Sequence, residues 1–189
     1  KSNLDSTLKK LAEKGKISTD EAKNIFGRIH FADKLDEFKN CNLVIEAVNE
    51  DHAVKQTLFS ELEKIIPADC VLGTNTSSLS ITEIAKGVKN PERVIGMHFF
   101  NPATIMKLVE VVNTNYTNEN TTRSIVELAK QMNKTPVLCK DSPGFIVNRV
   151  ARPYYIESLR LAEENIADFS TIDSIMESTG FKMGPFKLM

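Results

Sequence analysis

Short apolar runs alternate with amphipathic stretches along the first three quarters of the chain. Runs of strand length occur at residues 43–48, 71–74, 94–99, 108–112 and 136–139. Apolar residues at helical spacing lie before and between these runs, first at Leu4, Leu8 and Leu11 and last at residues 121–132. Strands that alternate with helices form βαβ units, so the pattern predicts an α/β fold with a largely parallel sheet covered on both faces.

Capping residues and helix breakers mark the ends of the predicted helices. Ser18 with Glu21, and Ser80 with Glu83, have the spacing of capping boxes that open helices. Gly15 fits the C-cap position of the first helix.

A further helix is predicted between the first two strands. Val54, Leu58, Leu62 and Ile65 share one helical face, and Pro67 ends the pattern. We expect this face to pack on the sheet.

The pattern changes after residue 140. Residues 145–165 predict one long helix in which Pro153 could introduce a kink, and residues 172–176 predict another. We therefore place an α/β domain at residues 1–140 and the start of an all-α second domain at 141–189.

Composition and charge narrow the choice of partners. The chain has 189 residues, 41% of them hydrophobic and 26% charged, with a net charge of −1. This balance gives no reason to expect a nucleic acid or membrane partner. Lys1 stands in place of a start methionine, so we expect a piece of a longer protein, whose targeting signals the sequence does not reveal.

The three cysteines, Cys41, Cys70 and Cys139, are far apart in sequence and form no CxxC motif. They predict reduced thiols, no metal site and a cytoplasmic location, with the mitochondrial matrix as the alternative.

Polar residues follow several predicted strands. They lie at residues 46–50, 75–78 and 98–102, and Glu110 lies within a strand. Because ligands of open α/β sheets bind at the carboxyl ends of the strands, these segments predict a common site.

His98 and Glu110 form the candidate catalytic pair. A lone histidine at a strand end is more often hydrogen-bonded and inert, and Glu110 alone could be a strand-edge residue facing water. Histidine can also act as a general base near neutral pH. A carboxylate in an apolar run needs a partner, so a hydrogen bond between the two side chains would satisfy Glu110 and orient His98.

Ser77 and Asn148 are candidates for binding substrate oxygens. Ser77 could equally belong to an ordinary polar turn, and no GxSxG motif indicates a serine nucleophile. Asn148 lies early in a predicted helix, where asparagine has poor propensity and so is expected to have a partner.

Five segments together resemble the consecutive motifs of the 3-hydroxyacyl-CoA dehydrogenases. They are NTSSL at 75–79, GMHFFNP at 96–102, MKLVEV at 106–111, KDSPGFIVNR at 140–149 and MGPF at 183–186. Their order and spacing match the family over essentially the whole chain. The resemblance implies a Rossmann-like domain without its N-terminal strands, NAD as the cofactor and an acyl-CoA substrate.

The resemblance also implies roles for individual residues. His98 would be the base at the 3-hydroxyl group and Glu110 its partner, while Ser77 and Asn148 would hold the substrate oxygens and the histidine. The expected cofactor contacts are Glu50, Lys55, Asn75 and Asn101. Lys10 and Lys14, one helical turn apart, would help to hold the CoA end of the substrate, although a solvated lysine face is the more common arrangement.

One departure from the family concerns the cofactor. No GxGxxG motif occurs in the chain, so the preference for NAD rests on the resemblance alone, and we expect these 189 residues by themselves to be inactive. The full-length protein is expected to be a homodimer.

Two other interpretations stay open. A related hydroxyacid dehydrogenase would rely on lysine catalysis, against which the histidine–glutamate pair argues. A non-catalytic, crystallin-like homologue would not need to keep Ser77, His98, Glu110 and Asn148 together.

Overall fold

The computed structural model describes residues 2–189, with side chains from Leu4 onward, and Lys1 lies outside the described residues. The chain forms two compact units, residues 1–40 and 41–189. The domain division predicted at residue 140 falls within the second unit and stays a prediction.

The first unit is a pair of packed helices followed by a short 3-10 turn. Helix α1 spans Ser2–Glu13, α2 spans Thr19–Gly27, and the 3-10 turn spans Leu35–Phe38. Gly15 has a φ of +65°, and the Ser18 hydroxyl accepts a 3.0 Å hydrogen bond from the amide of Glu21. The predicted C-cap and N-cap are therefore confirmed.

The second unit contains five strands, which match the five predicted ones to within two residues at each end. Their bounds are β1 Leu43–Glu46, β2 Val71–Thr74, β3 Val94–Phe99, β4 Leu108–Asn113 and β5 Thr135–Lys140. The helices of this unit are α3 His52–Leu62, α4 Ile81–Ala85, α5 Glu119–Gln131, α6 Val147–Glu163, α7 Phe169–Ser178 and α8 Pro185–Leu188, with a 3-10 turn at Pro91–Arg93.

The strands form one sheet in the order β1-β2-β3-β4-β5. Every neighbouring pair is parallel except β3 and β4, which are antiparallel. The predicted largely parallel sheet is confirmed. The antiparallel pairing also sets His98 directly opposite Glu110.

The two faces of the sheet differ in what they bury. One face packs on α5 through an apolar cluster of Ile95, Met97, Val109, Val111 and Ile125. On the other face, Gly96 leaves room for Ile81 of α4 and Val112 of β4, which a β-carbon at Gly96 would approach to 2.3 and 2.7 Å. Because strand side chains alternate, His98 and Glu110 lie on the same face as Gly96.

The buried face of α3 differs from the prediction. The helix buries Lys55, Phe59 and Leu62, whereas Val54 is 44% exposed. The predicted and the observed buried faces share Leu62 but are centred on different residues. Apolar spacing treats lysine as a surface residue, whereas the ammonium group of Lys55 is buried against Glu46.

Helix α6 begins two residues later than predicted. Gly144 and Phe145 have φ values of +75° and +47°, a left-handed conformation that cannot continue into a helix, so α6 starts at Val147. Pro153 lies inside α6 without ending it. In residues 2–189, none of the helices combines the length and apolarity that crossing a bilayer requires.

Candidate active site

The side chains of His98 and Glu110 meet between β3 and β4. Nδ1 of His98 lies 2.6 Å from Oε2 of Glu110, and their side chains are 8% and 1% exposed. A glutamate carboxylate only accepts hydrogen bonds, so Nδ1 carries the proton and Nε2 is left to exchange protons with a ligand.

The second carboxylate oxygen of Glu110 binds the start of α6. Oε1 accepts 2.9 Å hydrogen bonds from the amides of Ile146 and Val147. A carboxylate is favoured at this position because the first amides of a helix lack partners within the helix. Glu110 is thus fully hydrogen-bonded although it is buried, and it fixes α6 relative to His98.

Aromatic rings border the imidazole of His98. The ring centroids of Phe100 and Phe145 lie 4.5 and 5.7 Å from that of His98. The left-handed backbone at Phe145 turns the chain so that this ring is buried beside the imidazole. The surroundings of His98 therefore combine one carboxylate with apolar side chains.

Ser77 and Asn148 lie in contact with each other through the backbone of Ser77, and their binding of substrate oxygens stays a prediction. Nδ2 of Asn148, near the start of α6, donates a 3.3 Å hydrogen bond to the carbonyl oxygen of Ser77. Ser77 lies half-buried in the turn after β2. This contact leaves the Ser77 hydroxyl group and the Asn148 carbonyl oxygen to bind other groups.

Asn75 joins the carboxyl ends of β2 and β3, since its Oδ1 accepts a 2.8 Å hydrogen bond from the amide of Phe99. Asn101 is exposed in the loop after β3. This loop is held by Lys134, whose ammonium group donates hydrogen bonds to the carbonyl oxygens of Ala103 and Met106.

Glu50 supports the turn that contains Ser77. Its Oε1 accepts hydrogen bonds from the Thr76 hydroxyl group at 2.5 Å and from the Ser77 amide at 3.0 Å, and its Oε2 lies 3.2 Å from the ammonium group of Lys55. Partial burial opposes ionisation of Glu50, but these hydrogen bonds and the positive charge of Lys55 outweigh it and lower the pKa. Glu50 is therefore an anion at neutral pH.

Lys10 and Lys14 belong to the first unit. Lys10 lies in α1 and Lys14 just after it, and both side chains are exposed. The amide of Lys14 donates to the carbonyl oxygen of Lys10, so the two residues are one helical turn apart. Their binding to the CoA end of a substrate stays a prediction.

Sequence reasoning gave no individual role to two carboxylates near the site, Asp141 and Glu46, although Glu46 lies in the predicted segment 46–50. Asp141 accepts hydrogen bonds from the Ser80 hydroxyl group at 2.9 Å and from the Thr82 amide at 2.7 Å, and so joins the end of β5 to the start of α4. Glu46, at the end of β1, is bound by Lys55 and Thr74. The argument that singled out Glu110, an acidic residue in an apolar run, also applies to Glu46.

The residues at the ends of β1 and β2 suit one part of a dinucleotide. The Glu50 carboxylate, 39% exposed, can accept hydrogen bonds from ribose hydroxyl groups, and the Asn75 amide can bind a carboxamide. The ammonium group of Lys55, in contrast, is 1% exposed and already bound to Glu46 and Glu50, so its direct contact with a cofactor stays a prediction. The sequence contains no GxGxxG turn for a pyrophosphate.

Two family models match consecutive parts of the chain. The model described as 3-hydroxyacyl-CoA dehydrogenase, NAD binding domain, matches residues 1–142. The model described as 3-hydroxyacyl-CoA dehydrogenase, C-terminal domain, matches residues 144–189.

Curated relatives carry related names. The chain is 40% identical over 186 residues to a probable 3-hydroxybutyryl-CoA dehydrogenase of Deinococcus radiodurans, covering 98% of the chain and 66% of the relative. It is 43% identical over 186 residues to the 3-hydroxyadipyl-CoA dehydrogenase of Escherichia coli K12, covering 98% of the chain and 39% of that protein. The chain thus spans less than two thirds of the length of these relatives.

Solved structures share the fold. A crystal structure of 3-hydroxybutyryl-CoA dehydrogenase from E. coli K12 has a TM-score of 0.96 and 42% sequence identity, covering 99% of this chain and 40% of that one. The two family models leave only residue 143 unmatched. The chain therefore belongs to the 3-hydroxyacyl-CoA dehydrogenase family.

Proposed function

We propose that the protein containing this chain is an NAD-dependent dehydrogenase of short- or medium-chain 3-hydroxyacyl-CoA esters. The observation that carries the proposal is the buried pair of His98 and Glu110, with 2.6 Å between Nδ1 and Oε2. Family membership supports the reaction, and the pair supplies its acid and base.

His98 takes the proton of the 3-hydroxyl group on Nε2 while a hydride leaves C3. Glu110 keeps Nδ1 protonated and stabilises the imidazolium that forms, because opposite charges attract strongly in a buried site. In the reverse direction His98 returns the proton to the oxygen of the 3-oxo group.

Ser77 and Asn148 hold the reacting oxygen. The Ser77 hydroxyl group can donate a hydrogen bond to it, and the contact between Asn148 Nδ2 and the Ser77 carbonyl oxygen fixes the serine relative to α6. Donors placed before the reaction stabilise the charge that develops on oxygen in the transition state.

Bound NAD supplies the hydride acceptor for C3. Glu50 and Asn75 would hold its nicotinamide riboside end, and Asn101 and Lys55 are the further positions proposed for it. The pyrophosphate needs a glycine-rich turn that this sequence does not contain, so we propose that residues 1–189 alone are inactive. Isothermal titration calorimetry that detects NADH binding to residues 1–189 would contradict this.

The proposed reaction can be tested by the reduction of acetoacetyl-CoA, followed by the loss of NADH absorbance. In the full-length protein, His98→Gln should lower kcat by roughly 10²- to 10⁴-fold with a modest change in KM. His30→Gln, a change at an exposed histidine of the first unit, is the matched control and should keep wild-type kcat.

The alternatives predict other results. A lysine-based hydroxyacid dehydrogenase would retain turnover in His98→Gln. A non-catalytic homologue would show no turnover in the wild-type full-length protein, and that result would refute the proposal.

We also propose that the full-length protein is a homodimer. Support comes from an apolar groove of about 780 Å³ along α6, whose lining includes Val150, Tyr154, Phe181 and Leu188. Light scattering coupled to size-exclusion chromatography should give twice the mass of one polypeptide.

A further inference from the structure

Glu46 is a buried carboxylate without a role in the mechanism above. It is the last residue of β1, and its side chain is 0% exposed. Oε1 accepts hydrogen bonds from Lys55 Nζ at 2.6 Å and from the Val48 amide at 2.7 Å, and Oε2 accepts one from the Thr74 hydroxyl group at 2.6 Å. A charge is stable in such a place only when its partners are complete.

The first connection from Glu46 to the Ser77 turn passes through Lys55. An ammonium group has three N–H donors, and Lys55 directs them at Glu46 Oε1, at Glu50 Oε2 at 3.2 Å and at the Val48 carbonyl oxygen at 3.4 Å. Glu50 then accepts hydrogen bonds from Thr76 and Ser77. Lys55 thus joins Glu46 to Glu50, the carboxylate that binds the turn.

The second connection passes through Thr74. Its hydroxyl group donates to Glu46 and accepts a 3.3 Å hydrogen bond from the amide of Thr76. The hydroxyl group of Thr76 in turn accepts hydrogen bonds from the amides of Ser78 at 3.4 Å and Leu79 at 3.0 Å. Both connections end on residues 76–79.

We infer that Glu46 is a positioning residue, which through Lys55 and Thr74 fixes the turn of residues 76–79 and with it the Ser77 hydroxyl group. The inference rests on the proposed function, because that function places Ser77 at the reacting oxygen. Two connections from one carboxylate hold the turn more rigidly than either would alone, since hydrogen bonds in a buried network strengthen one another.

The direct test is Glu46→Gln in the full-length protein. Glutamine keeps one acceptor oxygen, which should face the two donors at the former Oε1, Lys55 Nζ and the Val48 amide, so its NH₂ group faces Thr74. The charge is removed, and Lys55 is left with Glu50 as its only carboxylate. Displacement of the turn by about 1 Å should lower kcat roughly ten- to a hundredfold, with little change in the KM for acetoacetyl-CoA.

Glu63→Gln is the matched control. Glu63 is a largely covered carboxylate, 12% exposed, with a cationic partner, Arg93 at 3.2 Å. It also binds a turn, through the amides of Lys89 and Asn90 at 2.7 and 3.0 Å. It has no connection to residues 76–79 through the network of Glu46. This variant should lose stability and keep wild-type kcat.

Amide hydrogen exchange, followed by NMR on the full-length protein, tests the inference without turnover. In Glu46→Gln the amides of residues 76–79 should exchange at least about tenfold faster, whereas Glu63→Gln should accelerate Lys89 and Asn90 instead. Thr74→Val, which replaces the hydroxyl group by a methyl group, should also speed exchange at residues 76–79 and lower kcat. It serves as the test if Glu46→Gln does not fold.

The outcomes separate the two proposals. A wild-type protein without turnover refutes the proposed function, while exchange at residues 76–79 still decides the role of Glu46. Unchanged exchange at these residues, or wild-type kcat in both Glu46→Gln and Thr74→Val, overturns the inference.

Discussion

The variant Glu110→Gln separates the two tasks of this carboxylate. Oε1 of Glu110 accepts from two backbone amides at the start of α6, and Oε2 is bound to His98 Nδ1. Glutamine has one acceptor oxygen and one NH₂ group, so it can accept hydrogen bonds on only one of the two sides where glutamate accepts them. Because α6 offers two amide donors and His98 offers one, the oxygen should face α6 and the NH₂ group should face His98.

The magnitudes follow from this orientation. With an NH₂ group beside it, Nδ1 must accept, and the proton moves to Nε2, where it blocks the base. A comparable Asp-to-Asn change beside a catalytic histidine lowers kcat by about 10⁴-fold, which corresponds to about 5.4 kcal/mol. Stability should fall by less than about 2 kcal/mol, because the hydrogen bonds are retained but become neutral.

The assay is reduction of acetoacetyl-CoA by the full-length protein, combined with urea unfolding. Glu110→Ala should lose kcat and also about 3–5 kcal/mol of stability, because three donors lose their acceptor. Glu127→Gln, at an exposed glutamate of α5, should change neither quantity. If Glu110→Gln keeps kcat within tenfold of wild type, the proposed tautomer of His98 is wrong.

Three further predictions concern other parts of the second unit. Asp141→Ala removes the acceptor of the Ser80 hydroxyl group and the Thr82 amide, so it should lower the free energy of unfolding in urea titrations by about 1–3 kcal/mol. A change below about 0.5 kcal/mol would show that water replaces the carboxylate. Burial raises the pKa of Cys139 to about 11, so iodoacetamide at pH 8 should label this thiol roughly a hundredfold more slowly than an ordinary thiol. Mass spectrometry measures the labelling rates, and equal rates would contradict the prediction. Burial opposes ionisation of Glu63, but hydrogen bonds from two amides and an arginine outweigh it and lower its pKa. The contribution of Glu63 to stability is therefore present above its pKa in the unfolded chain and is lost on acidification. The wild type should lose more free energy of unfolding than Glu63→Gln between about pH 5 and 3, and parallel curves of stability against pH would refute this.

Much of the site could be predicted from the sequence because it depends on local rules. The strand ends follow from apolar runs, and an acidic residue in such a run requires a partner. This reasoning led to Glu110. Its pairing with His98 on neighbouring strands depends on the antiparallel register of β3 and β4, which apolar spacing does not determine.

Other features could not be predicted because they depend on contacts distant in sequence. Lys55 is buried against Glu46 and Glu50, so the buried face of α3 is rotated from the one that its apolar pattern indicated, with Leu62 common to both. The left-handed backbone at Phe145, a residue type that rarely adopts it, shortened the predicted α6. The role of Asp141 depends on a turn about 60 residues earlier in the chain.

The hydrogen bonds that Glu110 accepts from the start of α6 bear on the engineering of chimeric dehydrogenases. The donors are the backbone amides of residues 146 and 147, so the contact does not depend on which side chains stand there. A helical part grafted from a relative should therefore tolerate substitutions at these two positions. An insertion or deletion between Gly144 and Val147 would move the amides away from the carboxylate, so crossover points belong before residue 140 or within the later turns of α6.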